Sequence, residues 1–221
     1  MMLPICAVIY TIPVCLLLYT LIHKSARKYY VPVKTMASIA FICLAVFCGV
    51  TGNHLGMMAQ MMPAFVMCLC GDVFLGFYNG VKNKKLFLGG VATFMLGHIC
   101  FIGVFVRMQR LSWIDFLFPI CAIGITVLVT YAKKMFLGKL RPYVYTYSFF
   151  VAMLFSKSLH IMTEAPTAQT ICLAIGATLF LISDFLILFL YFYDKRPWST
   201  HGWNLATYYY GMFFLAVSLL Y

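Results

Sequence analysis

Long apolar runs separated by short polar breaks dominate the chain, lying near residues 3–22, 32–50, 56–78, 86–106, 112–131, 142–160, 167–193 and 202–221. Each approximates the ~20 residues that a helix needs to cross a hydrocarbon core. The pattern predicts an all-α integral membrane bundle of eight transmembrane helices. Residues 1–221 then form a single transmembrane helical domain, with no length left for a soluble one. The first run lacks a basic segment before it and a small-residue cleavage site after it, so it reads as a retained span. Pro63 falls inside the third run and is expected to bend that helix.

Composition removes the soluble alternatives. Of 221 residues, 64% are hydrophobic and 10% charged, against roughly 25% charged in an ordinary soluble domain; the mean hydropathy is +0.97. The net charge of +11 does not point to nucleic acid, because the basic residues fall in the breaks between apolar runs and no recognition motif accompanies them. Read as topology signals, they orient the chain. Lys24, Arg27, Lys28 and Lys34 follow or flank the first break. Lys82, Lys84 and Lys85 fill the third, Lys133, Lys134, Lys139 and Arg141 the fifth, and Lys195 and Arg196 the seventh. The even breaks hold only Arg107 and Arg110. The odd connectors are therefore expected on the cytoplasmic side and both termini outside. In a bacterium the site of residence would be the plasma (inner) membrane. The nine cysteines sit in or beside apolar runs without CxxC spacing and read as small buried side chains.

Two acidic residues stand where lipid-compatible side chains are expected. Asp115, Glu164 and Asp194 lie near helix ends, whereas Asp72 interrupts MCLCGDVFLGF and Asp184 interrupts LFLISDFLILF. A carboxylate at the centre of a spanning helix costs roughly 2.5–3.5 kcal/mol on insertion scales, so an intramembrane acid is read first as functional. The third and seventh helices run in the same direction. Counted from the expected cytoplasmic ends, Asp72 lies about seven residues deep and Asp184 about ten, or roughly 10–15 Å. Both carboxylates are thus expected at the same leaflet depth, Asp184 the slightly deeper by that count, where they can share a pocket open to the cytoplasmic leaflet. Gly71 and Ser183 precede the two acids, and Gly76 lies a turn beyond Asp72, which permits close helix contact.

Other polar residues project to the same half. Lys34 opens the second helix and can pair with a buried Asp or hold a phosphate. Tyr145 and Tyr147 lie in the first turns of the sixth, and Tyr208 and Tyr209 two turns into the eighth; His98 is near mid-membrane on the fourth. Lys157, towards the opposite end, reads as an interfacial residue. No HxxxH, HExxH or His/Cys cluster supports a metal, no GxSxG supports a serine nucleophile, and no cofactor is expected.

In this order, Gly71-Asp72-Val73-Phe74-Leu75, Gly97-His98-Ile99-Cys100-Phe101, Phe180-Leu181-Ile182-Ser183-Asp184 and Thr207-Tyr208-Tyr209 resemble the lysoplasmalogenase, or YhhN, family of eight-helix membrane proteins, with its GDxxL and later SD motifs. The chain departs from the family pattern at Thr35, Phe101, Ile187 and Met212 and keeps both aspartates. The resemblance implies hydrolysis of the vinyl ether of a lysoplasmalogen to a fatty aldehyde and a glycerophospho-base. It implies a lysophospholipid as partner within the surrounding membrane lipids, Asp72 and Asp184 as the catalytic pair, and Lys34, His98, Tyr147, Ser183 and Tyr208 as substrate-binding residues. Such a bond breaks by protonation of its β carbon and addition of water, which asks for one carboxylic acid and one carboxylate. Burial favours the first and a nearby cation or donor the second. Asp184 is expected to give the proton, and Asp72, held by Lys34 or a Tyr hydroxyl, to deprotonate water. Competing readings are a proton-coupled transporter and a non-catalytic lipid-binding protein; oligomeric state is left open.

Overall fold

The computed structural model describes the whole chain except Met1, Arg196 and Trp198, and the side chains of Met2 and Leu3. Arg196 of the seventh connector thus lies outside the described residues. Eight α-helices follow one another: α1 (Met2–Ile22), α2 (Tyr30–Thr51), α3 (Leu55–Val81), α4 (Lys84–Met108), α5 (Ile114–Ala132), α6 (Arg141–Glu164), α7 (Ala168–Phe192) and α8 (Thr200–Val217). Their bounds lie within a few residues of the apolar runs, and α3 continues through Pro63 without a break. A 3-10 segment, Lys24–Tyr29, leads into α2, and another, Ser218–Leu220, closes the chain.

Six spans, those containing α1 to α5 and α7, are long and apolar enough to cross a membrane, and the molecule is an integral multi-pass membrane protein. The helices that fall short have physical reasons. On α8, a majority of side chains are buried against neighbours, including Asn204, Tyr208 and Tyr209. A helix enclosed by protein need not resemble lipid, and its polar groups find partners there. On α6, Lys157 and Ser158 are likewise buried.

Packing explains why the centre is so closely built. The core runs through Phe41, Phe65, Phe101, Phe180, Tyr209 and Met212, drawn from α2, α3, α4, α7 and α8. The helices α7 and α8 approach until backbone meets backbone. A Cβ at Gly176 would come within 2.9 Å of Gly211 O, and one at Gly211 within 3.0 Å of Gly176 O. On α3, a Cβ at Gly71 would strike the Phe94 ring at 2.6 Å, so glycine beside Asp72 lets α4 press an aromatic wall against the acid. Gly76 is less demanding, its added Cβ lying 3.5 Å from Val31. The helix α5 stands at the periphery, against α6.

Candidate active site

Helix ends set the depth of the two acids. Asp72 stands nine residues before the end of α3 and Asp184 eight before the end of α7, about 12–14 Å at 1.5 Å per residue. They share one level, so the expectation that Asp184 lies deeper does not hold. The reason is that α3 runs three residues past its apolar run, while α7 ends one residue short. Any division of labour must come from their partners.

Asp72 is almost completely buried and heavily partnered. Lys34, 5% exposed on the second turn of α2, places Nζ 3.0 Å from Asp72 Oδ1 as an ion pair. Ser38 and Tyr208 donate to Oδ2 at 2.6 and 2.7 Å. Lys34 and Ser38 are four residues apart and therefore share a helix face. Tyr209 holds this arrangement from behind, donating to Lys34 O at 3.1 Å. The Lys34 ammonium is the counter-charge of the acid, which argues against its serving as the phosphate ligand.

Asp184 has weaker company. Tyr147 donates to its Oδ2 at 3.0 Å. His98 Nε2 lies 3.2 Å from the same oxygen but out of hydrogen-bond alignment, and neither ring nitrogen of this fully buried histidine has a hydrogen-bond partner among the described residues. The ring is wedged edge-on between Tyr147 and Phe180, centroids 5.3 and 4.7 Å away. Ser183 is fully buried: Asn204 Nδ2 donates to its Oγ at 2.8 Å and to its carbonyl at 2.9 Å, while Ser183 Oγ donates to Asn204 O at 3.1 Å. Its hydroxyl is thereby occupied in joining α7 to α8. Tyr145 faces Thr130, its hydroxyl 3.5 Å away, and is not among the groups on Asp184.

Two cavities meet at this level. One, of about 20 Å³, is lined by Lys34, Asp72, Ser183, Asp184, Asn204 and Tyr208, among others. That is room for about one water, and the wall offers the polar partners a bound water requires. The other, of about 320 Å³, is almost entirely apolar and runs between α3, α4, α5, α6 and α7. Its wall includes Tyr147 and Val151 and reaches Leu88, Ile125, Ile182 and Phe185, which are exposed on the lipid-facing surface. Leu75, Phe94, Asp184 and Ile187 line both spaces. His98 lines neither and touches the site through Asp184.

The structure thus gathers Lys34, Asp72, Ser183, Asp184 and Tyr208 around the small cavity, and Tyr147 with Asp184 along the apolar one. Sequence reading missed Ser38 and Asn204. Each had a signal: Ser38 follows Lys34 by four residues and Asn204 precedes Tyr208 by four, on the same helix faces. Among the described residues, no group of His, Cys, Asp and Glu is placed to hold a metal.

A family model described as YhhN family matches residues 29–219. Neither a curated protein nor a solved structure matches the chain.

Proposed function

The chain belongs to the YhhN family, and from that premise and the two adjoining cavities we propose that it is a lysoplasmalogenase-type membrane hydrolase. The observation that carries this reading is the position of Asp184, which lines both the apolar cavity and the one-water cavity it shares with Asp72. A single alkenyl chain enters the apolar cavity sideways from the bilayer. Its volume falls within the roughly 300–1,000 Å³ of ligand pockets. This brings the vinyl ether, next to the glycerol, against Asp184.

Asp184, with no side chain of obligatory positive charge among its contacts, acts as the acid. Its proton passes to the β carbon of the alkene, whose π electrons form the new C–H bond and leave an oxocarbenium ion at the α carbon. The water between the acids attacks that carbon while Asp72, ionised beside Lys34, removes its proton. The resulting hemiacetal collapses to a fatty aldehyde; its hydroxyl proton ends on the glycerol oxygen as the C–O bond breaks. Transfer of the proton from Asp72 to Asp184 through a new water restores the pair. A positioned acid and base are each worth roughly 10²–10⁴ in rate. The basic connectors are read as cytoplasmic, so the glycerophospho-base leaves on that side.

The test uses purified protein in detergent with vinyl ether, alkyl ether and ester lysolipids of equal chain length. The expected products are aldehyde and glycerophospho-base from the vinyl ether alone. In D2O the aldehyde should carry one deuterium on the carbon beside the carbonyl, the signature of carbon protonation. Cleavage of the ester, or full turnover by folded Asp72→Asn or Asp184→Asn protein, would overturn the reading.

A further inference from the structure

A third cavity, of about 1,020 Å³, opens at the end of the bundle that carries the basic connectors. It lies between the end of α1, the 3-10 segment before α2, the end of α3, the end of α7 and the start of α8. Tyr30, Tyr191 and His201 line it and also line the small cavity between the two acids. Tyr30 Oη is 3.1 Å from His201 Nε2, and Tyr191 donates to Asn79 Oδ1 at 3.3 Å. These side chains form a polar collar between the two spaces.

The charged lining of this vestibule is specific in its balance. Among the described residues it consists of Arg27 and Lys82 with one acid, Asp194, and none of the three forms an ion pair there. Aromatic lining comes from Tyr78, Tyr191 and Trp203, and Lys82 already lies over the Tyr78 ring, 5.2 Å from its centroid. Two cations, one carboxylate and several aromatic rings are the charge complement of a phosphodiester that bears a cationic base: guanidinium and ammonium for the phosphate, carboxylate and rings for the base. Lys34 cannot supply the phosphate contact because it neutralises Asp72. Lys82, the residue that caps the end of α3, follows Asp72 by ten positions, about 15 Å along the axis, a separation that an extended glycerophospho-base and the lysine side chain together bridge.

We infer that this vestibule is the headgroup site, with Arg27 and Lys82 on the phosphate and Asp194 selecting a zwitterionic headgroup over a net anionic one. The assignment rests on the hydrolase reading for the identity of the lipid, so its test is binding without turnover. The probes are a saturated alkyl-ether lysophosphocholine and the lysophosphoglycerol of equal chain length, titrated in non-ionic detergent. Glycerophosphocholine and inorganic phosphate serve as competitors. Arg27→Gln/Lys82→Gln should weaken lysophosphocholine binding at least roughly tenfold, and Arg27→Lys/Lys82→Arg should restore most of it. Wild type should prefer the phosphocholine probe, and Asp194→Asn should bring the two probes to within about twofold. Lys24, Lys28, Lys84 and Lys85 remain in the double variant to hold topology, and the Asp194→Asn arm reads selectivity even if that variant fails to fold. Wild-type affinity in the folded double variant, an unchanged preference in Asp194→Asn, or competition by inorganic phosphate equal to that by glycerophosphocholine would overturn the assignment. Tight, selective binding without aldehyde release would leave the vestibule standing and remove the hydrolase reading instead.

Discussion

Two clusters of buried charge sit in opposite halves of this bundle, and they are built on opposite principles. Away from the basic connectors, Asp115 at the start of α5 is fully buried beside Lys157 of α6, also fully buried. Lys157 Nζ donates to Asp115 Oδ2 at 3.1 Å, Gln109 Oε1 at 2.8 Å and Arg110 O at 2.8 Å, which uses all three of its hydrogens. Ser112 N donates to Asp115 Oδ2 at 2.8 Å, His160 Nδ1 lies 2.8 Å from Oδ1, and His160 Nε2 lies 3.0 Å from Glu164. Gln109 also donates to Glu164. Every polar atom of the aspartate and the lysine is engaged, and neither residue lines the cavities around Asp72 and Asp184. The other cluster leaves both nitrogens of His98 without a hydrogen bond and sets Asp184 against open space. Saturated burial ties helices together; incomplete burial beside a cavity keeps groups free to exchange protons.

That contrast is broken most severely if Asp184 proves to be structural. Asp184→Asn should lower aldehyde release at least roughly 10³-fold, within the range of a lost general acid. Its unfolding midpoint should stay at or above that of wild type, because an amide of the same shape replaces an acid that a single hydroxyl holds. Aldehyde assays and thermal unfolding on the same preparation test both halves. A large fall in midpoint with normal turnover per folded molecule would make the two clusters alike.

The complementary test removes the opposite lysine. Lys157→Met leaves Asp115 buried without its principal cation, a change that costs roughly 3–5 kcal/mol. Turnover per folded molecule should remain within about twofold, since the cluster shares no cavity with the aspartates. Chemical or thermal unfolding in detergent reads the first outcome, and active-site-normalised assays the second.

A third variant joins the two properties. Gly176→Ala places a methyl 2.8 Å from Leu215 Cγ and 2.9 Å from Gly211 O, so α7 and α8 must move apart at a cost of roughly 1–3 kcal/mol. Asp184 rides on α7 and Tyr208, the donor to Asp72, on α8. Stability and turnover should therefore fall together, unlike in either charged variant. A stable variant with full activity would show that the close approach serves neither.

How far this division was legible in the sequence follows from what each signal measures. Apolar runs mark every helix, because lipid imposes length and composition on each span separately. Asp72 and Asp184 stand out for the same reason. Lys157 misleads: hydropathy near a helix end gives a snorkelling residue, whereas the structure buries it completely against Asp115, 42 positions earlier. Partnership at that separation leaves no local trace. Ser38 and Asn204 are small polar residues of a kind tolerated throughout membrane helices, and only their spacing from Lys34 and Tyr208 hints at a role. The level of the two acids was legible to within a turn, but their order was not, because helices overrun or fall short of their apolar runs.

The smallest effect is the most diagnostic of why Asp184 is so lightly held. Tyr147→Phe removes the hydroxyl that donates to Asp184 Oδ2 and keeps the ring against His98 and the cavity wall. In a saturated cluster, deleting one donor strands its acceptor, at roughly 1–3 kcal/mol. Here the acid borders the small cavity, where a water can replace the lost donor. Stability should therefore change by less than about 1 kcal/mol, while turnover falls roughly tenfold because the acid loses its fixed orientation. His160→Phe is the control in the opposite cluster: it strands the buried Oδ1 of Asp115 and should lower stability more than turnover. Equal stability losses in the two variants would mean that the space beside Asp184 does not relieve it, and the distinction between the two clusters would then rest on the aspartate variants alone.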